Sequence, residues 1–410
     1  MTKRERKAPG RRLAAVVMLF YFLAFLLLAI RNQSALGFVL ALVVPAMIFI
    51  GTNFLPHLFP ADRLLLSLTN FLCAMGILLL YSTNQAYARQ QAVFYGVGLV
   101  CMIGCIYLVR LFHSWQKWMR ILIPCSLVMM VLPLIWGHEI NGARNWITFG
   151  SVSFQPSEIV KLALVLVLAW FISRRQFLQC LLFTAFCLGL LMLQMDLGTA
   201  LLYYGTALLT YWAASGSILF SMLGVAGGVG ASLIGYHQFA HVRRRVAIWL
   251  NPWADYENAG YQLVKGLEAI ANGGLWGVGL GLGSPTKIPV YESDFIFAVL
   301  YEQFGQVFGI CVILMYVALI WRCTTIARSA RRSFYGLLAM ASTIMLGLQT
   351  FVIIGGILKV IPLTGVTLPF ISYGGTSLVS SMCLVGLIQG VESINDDDLK
   401  EDLRLSMMDE

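Results

Sequence analysis

Charge is scarce in this chain. Of its 410 residues only 11% are charged and 59% are hydrophobic, and the mean hydropathy is +0.80. Soluble domains carry about a quarter charged residues, so 28 Lys and Arg with 19 Asp and Glu are too few to solvate a 45.4 kDa globule. Paired cysteines are also missing. The nine cysteines stand singly, mostly inside apolar runs, and none forms a CxxC pair, which excludes a zinc site and a disulfide framework. The five histidines (His57, His113, His138, His237, His241) have no nucleophile motif beside them, which removes serine–histidine and cysteine–histidine chemistry. A net charge of +9 would suggest nucleic acid in a soluble protein. Here it follows from membrane topology, and no nucleic-acid partner is expected.

What is present is a series of apolar runs near the roughly 20 residues that cross a bilayer. Twelve spans can be drawn, at 13–30, 36–55, 64–81, 93–112, 119–136, 157–172, 177–193, 197–214, 217–236, 295–321, 334–357 and 376–391. The pair 177–193 and 197–214 is short enough to be partly re-entrant. The fold class is therefore all-α, a polytopic transmembrane bundle of about 12 helices. The basic start, residues 1–12, reads as a cytoplasmic flank and not as a cleaved signal, because the first run is too long for an h-region and no AxA-like site follows. With that end inside, Arg63, Arg110, Lys117, Arg120, Arg174, Arg175, Arg322, Arg328, Arg331 and Arg332 fall on the cytoplasmic side, as the positive-inside rule requires. An even span count puts both termini in the cytoplasm. The exception is Arg243-Arg244-Arg245, in the long outer connection 237–294.

The acids sort differently. Eight of the 19 lie at 392–410, which reads as a solvated acidic tail; most of the others fall at one outer surface. Glu139, Glu158, Asp196, Asp255, Glu257, Glu268, Glu292 and Asp294 lie at or beyond the outer membrane face, with Glu302 about two turns inside the next span. Ionisable groups at membrane depth are costly and are functional candidates by default, so any chemistry is expected outside.

Connection 237–294 is too long for a passive hairpin. Within it, Leu263, Leu267 and Ile270 form one stripe of an expected amphipathic helix lying on the outer leaflet. The run Gly273-Gly274-Leu275-Trp276-Gly277-Val278-Gly279-Leu280-Gly281-Leu282-Gly283 lacks the GK[ST] ending of a phosphate loop. It reads as a packed hinge, with a backbone anion nest as the alternative. The Arg243–Arg245 cluster either snorkels at the interface or binds a headgroup or diphosphate through guanidinium forks. Trp249, Trp253 and Trp276 read as interface anchors. Asp294 has two readings as well. It could cap the helix that follows, or act as a general base with a pKa raised by poor solvation. Residues 361–375, with two prolines and several glycines, form an irregular re-entrant segment that must line a cavity or be buried in protein.

From residue 64 to 391 the sequence resembles the SEDS family (shape, elongation, division and sporulation), which includes FtsW, RodA and SpoVE. The resemblance rests on motifs in order. They begin with Ala88-Arg89-Gln90, Gly142-Ala143-Arg144 with Trp146, and Phe154-Gln155-Pro156-Ser157-Glu158 with Lys161. Gln194 with Asp196-Leu197-Gly198-Thr199-Ala200, Asn251-Pro252, Gly260-Tyr261-Gln262 and the glycine run follow. Asp294-Phe295-Ile296-Phe297, Pro362 with Thr364-Gly365, and Leu368-Pro369-Phe370 with Ser372-Tyr373-Gly374-Gly375 complete the set.

The resemblance implies a ten-helix core made of the third to twelfth spans, with residues 13–63 adding two helices. It implies a peptidoglycan glycosyltransferase that polymerises lipid II on the outer face of the bacterial cytoplasmic membrane, for division, elongation or sporulation, beside a class B penicillin-binding protein. Asp294 matches the family's essential aspartate and would deprotonate the acceptor hydroxyl. The leaving undecaprenyl diphosphate would be met by Arg144, Lys161, Arg243–Arg245 or a divalent cation, Mg or Mn. No resident metal ligands are expected. Trp146, Gln155, Ser157, Glu158, Asp196, Tyr261, Gln262, Glu302, Ser372 and Tyr373 complete the expected substrate-binding set with Arg144, Lys161, Arg243 and Arg244. Departures from the family pattern mark a divergent branch: Pro289-Val290-Tyr291-Glu292-Ser293 before Asp294, Lys265, Gln303, Ile353 and Lys359. Alternatives are a lipid II flippase, which should show related halves and midplane charges, and an inactive membrane scaffold.

Overall fold

A computed structural model of the chain describes residues 8–112, 114–140, 143–149 and 152–407. Residues 1–7 of the basic flank, His113, Asn141, Gly142, Asp409 and Glu410 lie outside the described residues. The helices follow the apolar runs. They are α1 (Ala8–Asn32), α2 (Ala35–Phe49) continued through a π turn (Ile50–Phe54) into α3 (Leu55–Leu58), α4 (Arg63–Thr83), α5 (Gln85–Leu111) and α6 (Trp115–Trp136). Next come α7 (Pro156–Ser173), α8 (Phe177–Leu193), α9 (Leu197–Ser215), α10 (Ile218–Gln238), α11 (Ala240–Leu250) and α12 (Tyr261–Gly273). The last are α13 (Ile296–Ser329), α14 (Ser333–Ile357) and α15 (Gly375–Ser406). Every drawn span falls on one of these helices, and among the described residues ten are long and apolar enough to cross a membrane. This is a multi-pass membrane protein. Helices α8 and α9, of 17 and 19 residues, are not among those ten; they pack as an antiparallel hairpin.

The reversals between spans are chemically specified. Asp62 caps α4 by accepting from Leu65 N at 2.7 Å, and Asp196 caps α9 through Thr199 N at 3.1 Å, each satisfying an orphan amide. Pro156 opens α7 at a position where its missing N–H costs nothing. Helix α4 is almost fully enclosed at the centre, whereas α10 is exposed along nearly its whole length. α5 packs on α15, and α14 on α7, α9 and α13.

Three segments outside the spans take defined structure. Connection 137–156 is a small antiparallel sheet of order β1-β2-β3, made of β1 (His138–Ile140), β2 (Ala143–Phe149) and β3 (Val152–Phe154). Its register pairs His138 with Trp146 and Ile147 with Phe154. The acidic end is helical and stays largely exposed. Helix α15 continues to Ser406, because its acids find cations at the base-rich helix ends: Asp397 pairs with Arg110 at 3.1 Å and Asp402 with Arg331. Finally, α12 forms as an amphipathic helix whose apolar face is packed within the protein. Its buried Leu263, Val264 and Ala269 dock it on α13.

Candidate active site

The site is built on the loop that enters α13. Val290 adopts φ +54°, and the turn closes when Asp294 N donates to Val290 O at 3.2 Å. Asp294 does not cap α13. The capping position is Phe295, without a side-chain bond to the helix. The Asp294 carboxylate instead accepts from the Ser293 hydroxyl at 2.9 Å and lines a cavity of about 450 Å³.

Across that cavity stands α11. Arg244, Arg245, Ile248 and Trp249 share its inner face, at the spacing of one helical stripe. Arg245 Nη1 donates to Thr364 O at 2.9 Å, and Trp249 Nε1 to Lys359 O at 3.1 Å, which pins α11 to the segment after α14. A Cβ placed on Gly365 (φ +75°) would lie 3.7 Å from Asp294 Oδ2 and 4.0 Å from Arg245 Nη2, so carboxylate and guanidinium converge over bare backbone. Burial lifts the Asp294 carboxyl above its ordinary value, while the Ser293 hydroxyl and Arg245 pull it down and Glu292 pushes it up. Burial lowers the Arg245 guanidinium, and Asp294 and Asp196 oppose that shift. The result is a carboxylate with a raised proton affinity beside a cation, in a partly dry cleft.

The irregular segment 361–374 straps this loop in place. Ser372 Oγ donates to Ser293 O at 2.5 Å and accepts from Leu368 N at 2.9 Å. Tyr373 N donates to Glu292 O at 2.8 Å, and Tyr373 OH bonds to Gln90. Tyr261 and Gln262 line the cavity, and Gln262 Nε2 donates to Pro289 O at 3.0 Å.

Other expected residues form separate supports. Asp196 Oδ2 accepts from Asn145, Gln155 and Thr199 at 2.8, 2.8 and 2.9 Å. Lys161, fully buried, donates to Glu158 at 2.6 Å and to Gln349 Oε1 at 2.9 Å, and Gln349 Nε2 continues to Thr367 O in the strap. Ser157 O accepts from Tyr203 OH at 2.6 Å. Arg144 turns to Gly137 O and Arg243 to His237 O, so neither lines the cavity, nor does half-buried Trp146. Glu302 Oε1 accepts from Ser284 N at 3.1 Å, away from Asp294. The glycine run is a packed hinge. It wraps the kink of α13 at Gly305 (φ +83°), with Val278 N on Glu302 O and Gly279 N on Gln303 O.

Residues 62–396 match the FtsW, RodA and SpoVE family of cell cycle proteins. The chain belongs to that family. It is 33% identical over 360 residues to Stage V sporulation protein E of Bacillus subtilis (strain 168), covering 80% of this chain and 96% of the relative. It is 37% identical over 294 residues to the probable peptidoglycan glycosyltransferase FtsW of Halorhodospira halophila, covering 67% and 74%. A solved chain from a peptidoglycan synthase complex, described as coordinating polymerization and crosslinking, superposes with TM-score 0.69 at 28% identity. That superposition covers 82% of this chain and 98% of the other. Helices α1–α3 precede the matched region.

Proposed function

We propose that this membrane protein is a peptidoglycan glycosyltransferase that polymerises lipid II, with Asp294 as general base. The relatives' glycosyltransferase names supply the reaction class, and one observation carries the assignment of the base. Asp294 is the acid lining the 450 Å³ cavity, it leaves α13 uncapped, and it faces Arg245.

In the reaction, Asp294 takes the proton of the acceptor N-acetylglucosamine 4-hydroxyl. The oxygen attacks C1 of the donor N-acetylmuramic acid, a new C–O bond forms, and the bond from C1 to the diphosphate oxygen breaks with its electron pair. Undecaprenyl diphosphate leaves. Its negative charge develops beside Arg244 and Arg245, whose guanidinium groups stabilise it electrostatically. Among the described residues no three His, Cys, Asp or Glu side chains converge. An Mg or Mn ion would arrive on the substrate's own diphosphate.

The base-rich connections share one face and the Asp294 cavity lies on the other. The positive-inside rule therefore supports both termini in the cytoplasm and the cavity outside. A class B penicillin-binding protein is the proposed partner, supported by the relative solved within a synthase complex. The test is to incubate the purified protein and that partner with labelled lipid II. Glycan ladders should form and should disappear in Asp294→Asn. Ladders unchanged in Asp294→Asn would overturn the base assignment, and lipid transfer across vesicles without ladders would favour a flippase.

A further inference from the structure

The base-rich face carries a second cavity, of about 600 Å³, between the starts of α6 and α14 and the end of α7. Lys117, Arg120, Arg174 and Arg332 line it, drawn from three separate connections, and no acid does. None of the four has an ion-pair partner among the described residues. Its wall is aromatic. Trp115 and Phe334 rings stand 5.1 Å apart, and the Arg174 guanidinium stacks 3.8 Å above Trp170. Stacking holds the guanidinium plane while leaving its N–H edges free. Trp115 also lines the cavity; it is 7% exposed, and its indole N–H has no acceptor.

We infer that this cavity binds the phosphate diester headgroup of an anionic phospholipid from the adjoining leaflet. The positive-inside rule alone scatters bases along connections; it does not gather four around one acid-free cavity. The ligand must be an acceptor-rich anion, which a phosphate diester is. Its depth favours a lipid over a soluble anion. The cavity opens where the apolar spans begin, at headgroup level, and basic pockets between helices at that level suit anionic lipids. Directly beyond it α6 presents Trp118, Ile121 and Val128 outward, an apolar stripe along which acyl chains can lie.

The experiment uses the full chain purified in an uncharged detergent and titrated with dioctanoyl phosphatidylglycerol, dioctanoyl phosphatidylcholine or inorganic phosphate. Native mass spectrometry reads bound lipid. The expected result is saturable phosphatidylglycerol binding, with phosphatidylcholine far weaker and inorganic phosphate unable to compete. Arg120→Gln with Arg174→Gln should weaken binding about thirtyfold. Arg328→Gln with Arg404→Gln, an equal loss of charge outside the cavity, should leave it within about twofold. Equal losses in both double variants would reduce the effect to diffuse attraction and overturn the site. Competition by inorganic phosphate would assign it to a free anion instead. Should the cavity variants misfold, the headgroup comparison on the unaltered chain still decides, because absence of phosphatidylglycerol preference overturns the inference.

Discussion

Ser372 Oγ donates to the carbonyl of Ser293, 79 residues earlier in the chain, at 2.5 Å. With the bond from Tyr373 N to Glu292 O at 2.8 Å, it fixes the two residues that precede Asp294. The carboxylate is held by backbone clamps on its loop, with the strap after α14 as the jaw.

Ser372→Ala removes this clamp and leaves the Ser293 carbonyl and Leu368 N–H without their partner, a cost of about 1–3 kcal/mol. Glycan synthesis should show kcat falling about tenfold with KM nearly unchanged, because the lost interaction orients the base and not the substrate. Ser372→Thr, which keeps the hydroxyl, should recover most of the rate. A KM effect alone would argue against a positioning role.

Asp294 should set the acid limb of the pH profile. Its carboxyl is raised by burial, so the base becomes active at a higher pH than an ordinary aspartate would. Arg245 holds the value down and Glu292 pushes it up. Arg245→Gln should therefore move the acid limb of kcat/KM to higher pH and Glu292→Gln to lower pH. The sign for stability is the reverse of the usual carboxylate. The folded chain holds this proton more tightly than the unfolded chain, so stability from Asp294 is present at low pH and is lost as pH rises through the folded value. Asp294→Asn should accordingly raise the midpoint of thermal unfolding at neutral pH while abolishing activity.

The Glu158–Lys161 pair predicts strong coupling. Lys161 is fully buried, so Glu158→Gln leaves an ammonium with only the neutral Gln349 and the new amide beside it, costing about 3–5 kcal/mol. Adding Lys161→Met removes the stranded charge, and the double variant should be more stable than Glu158→Gln alone. Thermal unfolding in detergent tests this; additive losses would show that the two side chains act independently.

The glycine run predicts a graded response. At Gly277 (φ +83°) a Cβ would meet Gln303 O at 2.3 Å, whereas at Gly216 (φ +64°) nothing lies within 4 Å. Gly216→Ala should cost about 1 kcal/mol of left-handed backbone strain. Gly277→Ala adds displacement of the α13 kink and should cost several times more. Equal unfolding temperatures for the two variants would contradict the packed hinge.

The membrane helices were legible residue by residue, because an apolar run near bilayer length leaves the backbone no alternative to a helix. Pro156, at the start of α7, is itself a local entry signal. The sheet in 137–156 has only a short local signal in the sequence, the Asn141-Gly142 pair favoured in hairpin turns. Within the arginine triplet, helical spacing with Ile248 and Trp249 singles out Arg244 and Arg245 as sharing the inner face, and Arg243 turns to α10.

The sequence by itself determined that the chain is an all-α membrane protein with acids gathered at one surface, and its motif order pointed to the family and to Asp294. Hydrophobicity and charge act locally, so composition and spacing record them directly. The tertiary structure alone decided that Arg245 faces Asp294, that Ser372 and Tyr373 clamp the loop, and that Glu302 and Arg144 serve elsewhere. The Arg245–Asp294 and Ser372–Ser293 relationships join residues of separate elements tens of positions apart, and only the packing of whole helices selects which of many polar side chains meet.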